Sequence, residues 1–439
     1  MNHLRAFVLT ALRSATTGGR SYHIWMGTLT AIMLVGGYAY SYQVVHGLAV
    51  TGMNDHVSWG LYISNFAFLV GLAAAAVILV QPAYVLKDVD FGKAVLIAEG
   101  VAVSALVMCL AFVIANSPGH PLKWWRLTPV VGLLNWPNSM LAWDVIMLNG
   151  YLVLNILIPF YILFSHFTGR EPEKKKYVPF IYISVMWAVS IHLVTAFLFA
   201  GLPARPLWNS ALLGPRFLAS AFTAGPAFMI LLLGFIQSHT KFPIAARALD
   251  KLATVTAVTS QVNLIMLMSE VFYKFYSPTH HSINARYLFF GIEGHHALVP
   301  WIWAGIALNV TATLALMIHP LRKNLRWLMI ACGMLFVGIW IEKGIGLVIP
   351  GFIPSPLGEI VEYRPTWVEL CITAGIWALG FFVLTVLVKV ALPIELGEAR
   401  SPYITGGSKS PLVRPRSARV SAGDARLPRP LAGENTRRT

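Results

Sequence analysis

Ten runs of about 20 or more predominantly apolar residues follow one another along this chain, at about 24–45, 59–86, 94–115, 141–167, 178–200, 217–236, 251–274, 297–318, 326–349 and 367–392. A helix rising about 1.5 Å per residue needs about 20 such residues to cross the hydrocarbon core of a bilayer. The connections are short, so nearly the whole chain of 439 residues is taken up by these runs. With 57% hydrophobic and 12% charged residues, a water-soluble fold would expose far too much apolar surface. The sequence therefore predicts an all-α integral membrane protein with ten transmembrane helices over 24–395. A short segment, 1–23, precedes them. The tail, 396–439, is rich in Pro, Arg, Ser, Gly and Ala and is expected to be disordered, touching anionic lipid at most. Arg5, Arg13 and Arg20 lead into a first run long enough to stay in the membrane, and no small-residue cleavage site follows it, so it is expected to be retained.

The net charge of +15 suggests nucleic acid until the charges are located. Of the 33 Lys and Arg residues, 24 fall in alternate connections on one side, 6 on the other and 3 within the runs. That asymmetry follows the positive-inside rule, which places both termini in the cytoplasm. It accounts for the basic charge without a nucleic-acid partner. Cys109, Cys332 and Cys371 are isolated and lie inside runs. With no C-x-x-C and no C-x-x-C-H, the chain is expected to carry no iron–sulfur cluster, no attached c-type haem and no metal site of its own.

Given this orientation, each intramembrane polar residue acquires a depth. Asp144 lies about one turn in from the outer face and Asn65 about two. His192 falls in the outer half, Glu270 and Lys274 near an outer end, Glu342 and Lys343 in the outer third, and Glu369 at the outer headgroups. Only Glu99 and His166 lie on the cytoplasmic side. Ionisable groups inside a membrane usually face a cavity, a partner or a substrate path. Asp144, Tyr151 and Asn155 follow i, i+7, i+11 and share a helix face. Asn263, Glu270 and Lys274 do the same, and the two stripes are expected to line one pocket. Plainer roles compete. Asp144 follows Pro137, Asn138 and Ser139, which look like a helix start, where the dipole favours an acid. Glu270 and Lys274 form an i, i+4 pair in the favourable order. Glu342 and Lys343 are neighbours that share no face. The outer "PLKWWRLTPVVGLLNW" and "RPLW" read as an interfacial aromatic belt. The two His pairs of "HHSINARYLFFGIEGHH" (280–296) fit no standard metal spacing.

Several motifs carry a family resemblance: "WGLYISNFAFLVGLAAA" (59–75), "KAVLIAEG" (93–100), "NWPNSMLAWDV" (135–145), "IHLVTAFLFAG" (191–201) and "SEVFYKFY" (269–276). In combination they resemble the NrfD/polysulfide-reductase membrane subunits, ten-helix branch, nearest those of sulfur-metabolism complexes. The resemblance covers about 20–395. It implies NrfD-like helical bundles in a bacterial or archaeal cytoplasmic (inner) membrane, and a subunit without a redox cofactor of its own. The substrate it implies is a quinone, menaquinone or ubiquinone, bound near the outer face beside a periplasmic ferredoxin-like iron–sulfur subunit. Further partners would be a c-type cytochrome, a haem b membrane subunit and a cytoplasmic iron–sulfur subunit. Two histidines of the family are replaced. Ten-helix relatives carry one where this chain has Ala74 or a neighbour, and eight-helix members one near Phe66, which leaves Asn65 as the nearest polar substitute.

A quinone site needs hydrogen-bond partners for two oxygens, an apolar slot for the ring and an ionisable relay. The expected head-group partners are Asn65, Tyr151 and His192, with Trp59 and Tyr62 as slot walls. Asp144 and Glu270 are the expected proton carriers, and Glu99 the extension toward the cytoplasm. A secondary transporter is the first alternative, but its polar groups would sit near the midplane. A haem b subunit using His23, His166, His192 or His319 is the second, and it needs two facing histidines at one depth.

Overall fold

A computed structural model describes residues 2–73, 76–85, 91–92, 94–116, 136–240, 245–276 and 282–403. The expected disordered tail beyond 403, Ala74, His280, His281 and most of the outer aromatic connection before Trp136 lie outside these residues.

Among the described residues nine helices are long and apolar enough to cross a membrane, not ten. They are α3 (Leu61–Tyr84), α4 (Val95–Ala115), α5 (Met140–Phe167), α6 (Lys174–Ala200), α7 (Leu213–His239), α8 (Ala246–Tyr276), α10 (Val299–Met317), α12 (Leu325–Gly351) and α13 (Trp367–Glu395). The run that falls short is the first. It forms a continuous helix of 27 residues, α2 (Arg20–His46), but Tyr22, Tyr38, Tyr40, Tyr42 and Gln43 dilute its apolar character. A short helix α1 (Asn2–Thr16) precedes it. Two more, α9 (Ile283–Phe290) and α11 (His319–Lys323), lie in connections, the former within the stretch expected to be a loop of His pairs.

Helices α3, α4, α5 and α6 pack as one group and α7, α8, α10 and α12 as a second, with the pair α2 and α13 lying against α4. The groups meet where α3 packs on α7 and on one turn of α12. That turn, Trp340–Ile345, is π-helical. Helix α3, and α12 from Ile341 onward, are buried on every side, which is how an all-round hydrophobic stretch is accommodated, whereas the first half of α12 exposes Trp327, Ile330 and Val337. Helix α5 keeps only a stripe buried, including Asp144, Leu148, Tyr151 and Asn155, so the face inferred from spacing is the face turned inward.

The two ends of the described residues lie together. His3 Nδ1 meets Ser401 Oγ at 2.8 Å, and Phe7 packs edge-on against Phe160, Phe164 and Phe167 of α5. The opposite face is the outer one in the charge-based orientation. There Glu369, in the first turn of α13, is fully buried in protein, because it organises three segments. Its carboxylate accepts from Gly52 N at 2.7 Å, Tyr363 Oη at 2.6 Å and Thr366 N at 2.9 Å. With Thr366 it forms the capping box of α13. Burial first, and the Glu369 carboxylate second, push the Tyr363 hydroxyl well above the ordinary phenol range, so it remains a donor. Trp208 of "RPLW" is also buried rather than belt-like, donating Nε1–H to the Leu347 carbonyl at 2.8 Å.

Candidate functional site

The expected single pocket is two polar networks, one in each helix group. The two stripes belong to α5 and α8, which sit in different groups, so they cannot line one cavity.

The first network is built on α5 and α6. Ser139 caps α5, accepting from Ala142 N at 3.3 Å. Asp144 follows just over a turn later and is fully buried. Its Oδ1 accepts from Thr195 Oγ1 of α6 at 2.8 Å, so it faces a neighbouring helix and not merely its own amide dipole. Its Oδ2 is buried without a partner among the described residues. His192 lies one turn before Thr195 and is equally buried. Its Nδ1 lies 3.0 Å from the Ala188 carbonyl. A carbonyl only accepts, so in the tautomer that makes this bond the neutral ring carries its proton on Nδ1 and presents a lone pair at Nε2. Among the described residues Nε2 has no partner in hydrogen-bond geometry. Tyr151 is buried beside Asn155 and Ser184, and Asn155 Nδ2 donates back to the Tyr151 carbonyl at 2.8 Å. Glu99 of α4 is buried as well, with Oε2 unpartnered among the described residues.

Of the expected wall and head-group residues, Trp59 forms an aromatic wall. It stacks on Trp208 at 5.8 Å between ring centres and meets Phe199 and Phe352 edge-on. Phe199 continues the row to Phe217. Tyr62 and Asn65 are committed elsewhere. Tyr62 Oη donates to Gln43 Oε1 of α2 at 2.7 Å. Asn65 Oδ1 accepts from the indoles of Trp340 at 3.0 Å and Trp377 at 2.9 Å, while its Nδ2 donates to the Leu61 carbonyl. Asn65 therefore ties α3 to α12 and α13 through its oxygen, and one of its two amide hydrogens is taken by its own helix. Phe66 is fully buried.

The second network centres on Arg216, which the sequence reading left in an outer connection. It belongs to the first turn of α7 and is largely buried. Its guanidinium pairs with Glu270 of α8 and, at 2.9 Å, with Glu342 of α12. The expected Glu270–Lys274 pair does not form, because Arg216 takes Glu270 while Lys274 Nζ donates to the Pro206 carbonyl at 2.5 Å. Glu342 also accepts from Asn309 Nδ2 at 2.7 Å and from Asn263. Glu342 and Lys343 share no face, yet both are buried, since protein surrounds that stretch of α12. A narrow cleft lined by Leu207, Val271, Phe289, Arg216, Glu270 and Lys274 adjoins a smaller cavity lined by Arg216, Ser220, Glu342 and Lys343. The missed signal was depth: Arg216 sits at the level of Glu270 and Glu342.

Of the histidines considered as haem ligands, His166 Nδ1 faces Glu395 at 3.1 Å. His295 of the second His pair lies 3.8 Å from Glu362.

The chain matches "Polysulphide reductase, NrfD" over residues 49–354. It is 23% identical to a subunit of the selenate reductase of Mesobacillus selenatarsenatis, over 89% of this chain and 98% of that protein. It is 24% identical to the Hdr-like menaquinol oxidoreductase integral membrane subunit of Archaeoglobus fulgidus, over 82% of this chain and 91% of that protein. With nine helices fit to span a bilayer and this likeness over most of its length, the chain is a multi-pass integral protein of a prokaryotic cytoplasmic membrane, and it belongs to the NrfD polysulphide reductase family.

Proposed function

We propose that this protein is the quinol-oxidising membrane subunit of a multisubunit oxidoreductase, with menaquinol as the substrate favoured by the name of the archaeal relative. The observation that carries the reading is the pair of buried polar atoms without hydrogen-bond partners among the described residues, Asp144 Oδ2 and His192 Nε2, on the neighbouring helices α5 and α6. A buried polar atom without a partner is costly in a resting protein. A quinol hydroxyl would satisfy each. Oxidation of the quinol yields the quinone, two electrons and two protons. The electrons pass to a redox centre of a partner subunit. One proton goes to Asp144 Oδ2 and the other to His192 Nε2. Tyr151 borders the slot, Trp59 walls it, and Glu99 and Glu270 serve as onward proton carriers toward opposite faces.

The sequence motifs favour the DsrP type of membrane subunit, within the DsrMKJOP sulfur-metabolism complex. Its partners would be a periplasmic iron–sulfur subunit, a c-type cytochrome, a haem b membrane subunit and a cytoplasmic iron–sulfur subunit. Helix α2 is the tenth crossing in this reading. The meeting of His3 and Ser401 at one face supports an even number of crossings between them, with α2 as the one beyond the nine.

The test is quenching of the fluorescent quinol analogue 2-heptyl-4-hydroxyquinoline N-oxide by the purified, folded full-length chain. Saturable quenching that is lost in both Asp144→Asn and His192→Ala is expected. No saturable quenching by the folded wild type overturns the reading.

A further inference from the structure

Lys343 stands apart from the other buried charges. It is 4% exposed, and among the described residues no carboxylate lies within ion-pair distance of its Nζ. Glu342, its neighbour in sequence, points the other way, to Arg216, Asn263 and Asn309. Nζ instead donates to the Phe217 carbonyl at 3.3 Å and sits over the Phe217 ring, 4.3 Å from its centre. Burying an ammonium without a counter-ion costs several kcal/mol, so the position asks for a reason.

The surroundings supply one. A Cβ added at Gly71 of α3 would come within 3.1 Å of Nζ, so the absence of a side chain there makes room for the amine. The His192 ring of α6 approaches the carbonyl of the same Gly71. Arg216 and Glu342 line one small cavity together with Lys343. The turn that presents Lys343 is π-helical, a distortion concentrated at functional positions.

We propose that Lys343 relays protons between the two networks, a reading that rests on quinol oxidation at Asp144 and His192. The proton that His192 Nε2 takes from quinol passes to the Lys343 amine. It is then released into the cavity lined by Glu342, Arg216 and Ser220, and so to the cleft of Glu270 and Lys274 on the outer side. Only the proton moves. The Lys343 amine gains and loses it without breaking an ion pair, which neither Arg216, Glu270 nor Glu342 can do.

The experiment uses the intact complex in membranes, with reduced 2,3-dimethyl-1,4-naphthoquinone as the quinol and ferricyanide as the electron acceptor, over a range of pH. Quenching of 2-heptyl-4-hydroxyquinoline N-oxide is measured in parallel. Lys343→Met removes the charge, and Lys343→Arg keeps a charge that cannot be deprotonated. Both variants are expected to bind the analogue within twofold of wild type, to turn over at least tenfold more slowly and to lose the wild-type pH profile. Wild-type turnover in Lys343→Arg would show that a fixed cation suffices and overturn the relay, as would wild-type turnover in Lys343→Met or loss of analogue binding alongside turnover. Should neither variant fold, Gly71→Ala decides. It crowds Nζ while keeping the lysine, so turnover is expected to fall several-fold, and an unchanged rate overturns the relay. Absence of analogue binding in the wild type brings down the quinol reading, and this inference with it.

Discussion

Replacing Arg216 by Met is the most informative single change to the second network. Met keeps the length and apolar stem of the side chain and deletes the guanidinium. Glu270 and Glu342 then stand side by side without the cation that pairs with both. Breaking a buried ion pair by removing one partner costs about 3–5 kcal/mol, because the remaining charge stays desolvated. Glu342 keeps its two asparagine donors, which places the loss near the lower end, about 3 kcal/mol. At about 2 °C per kcal/mol for a chain larger than a typical small domain, that lowers the midpoint of thermal unfolding by about 6 °C. The cysteines provide the assay. Cys109 and Cys332 are buried and Cys371 half-buried, so a thiol-reactive dye reports on opening of the helix groups in detergent. The control is Arg216→Met combined with Glu270→Gln and Glu342→Gln. Removing every charge of a buried network is often close to neutral, so the triple variant is expected to recover most of the loss. If Arg216→Met melts with wild type, or the triple variant is no more stable than the single one, the network does not hold α7, α8 and α12 together.

Three further outcomes follow from contacts outside the networks. Asn65→Leu leaves the indole N–H groups of Trp340 and Trp377 without their shared acceptor; at about 1–3 kcal/mol for an orphaned buried donor, dye labelling of the cysteines is expected to begin at lower temperature, and an unchanged midpoint would mean the brace is idle. Glu369→Gln places an NH2 where a carboxylate accepts from Gly52, Tyr363 and Thr366; a loss of about 1.5–3 kcal/mol for hydrogen bonds to a charged group is expected in the same assay, with Glu369→Ala at least as severe. Gly375→Val sets a side chain against Gly36, whose Cα lies 2.8 Å from the Cβ position; overpacking of about 1–3 kcal/mol is expected to loosen α2 from α13 and speed tryptic cleavage after Arg20, whereas wild-type protease resistance would show that the crossing yields.

Much of the architecture was legible because a bilayer permits few alternatives. Nine of the ten apolar runs became helices of spanning length and character, and the face bearing Asp144, Tyr151 and Asn155 is the buried face of α5. Helix α2 shows where hydropathy fails. Its tyrosines and Gln43 lower the apolar signal, yet Gln43 is fully buried and bonded to Tyr62 and to the Ala115 carbonyl, so protein rather than lipid satisfies it. Partner choice was not legible either. Asn65 looked like a head-group ligand by depth alone, and nothing in one sequence shows that two indoles from α12 and α13 converge on it. Glu270 looked paired with Lys274 by helical spacing, and only the packing of α7 on α8 delivers Arg216 in its place.

The treatment of Glu342 and Lys343 carries the wider lesson for reading membrane sequences. Adjacent residues on a helix point in different directions, so two neighbouring charges seemed unable to share a site, and for a lipid-facing helix one of them would have to meet hydrocarbon. That reasoning assumes one protein-facing side. The Trp340–Ile345 turn of α12 is instead enclosed by α3 and α10, with α7 against the helix beside it, so each direction opens onto a different polar neighbourhood. Glu342 turns to Arg216 and the asparagines, while Lys343 turns to Gly71 and Phe217. The sharing of no face is what lets one turn of one helix touch both networks. A pair of opposite charges in a stretch that is apolar all round is therefore better read as a junction between two interiors than as an error of periodicity, because a stretch enclosed on every side has no lipid face on which either charge would be lost.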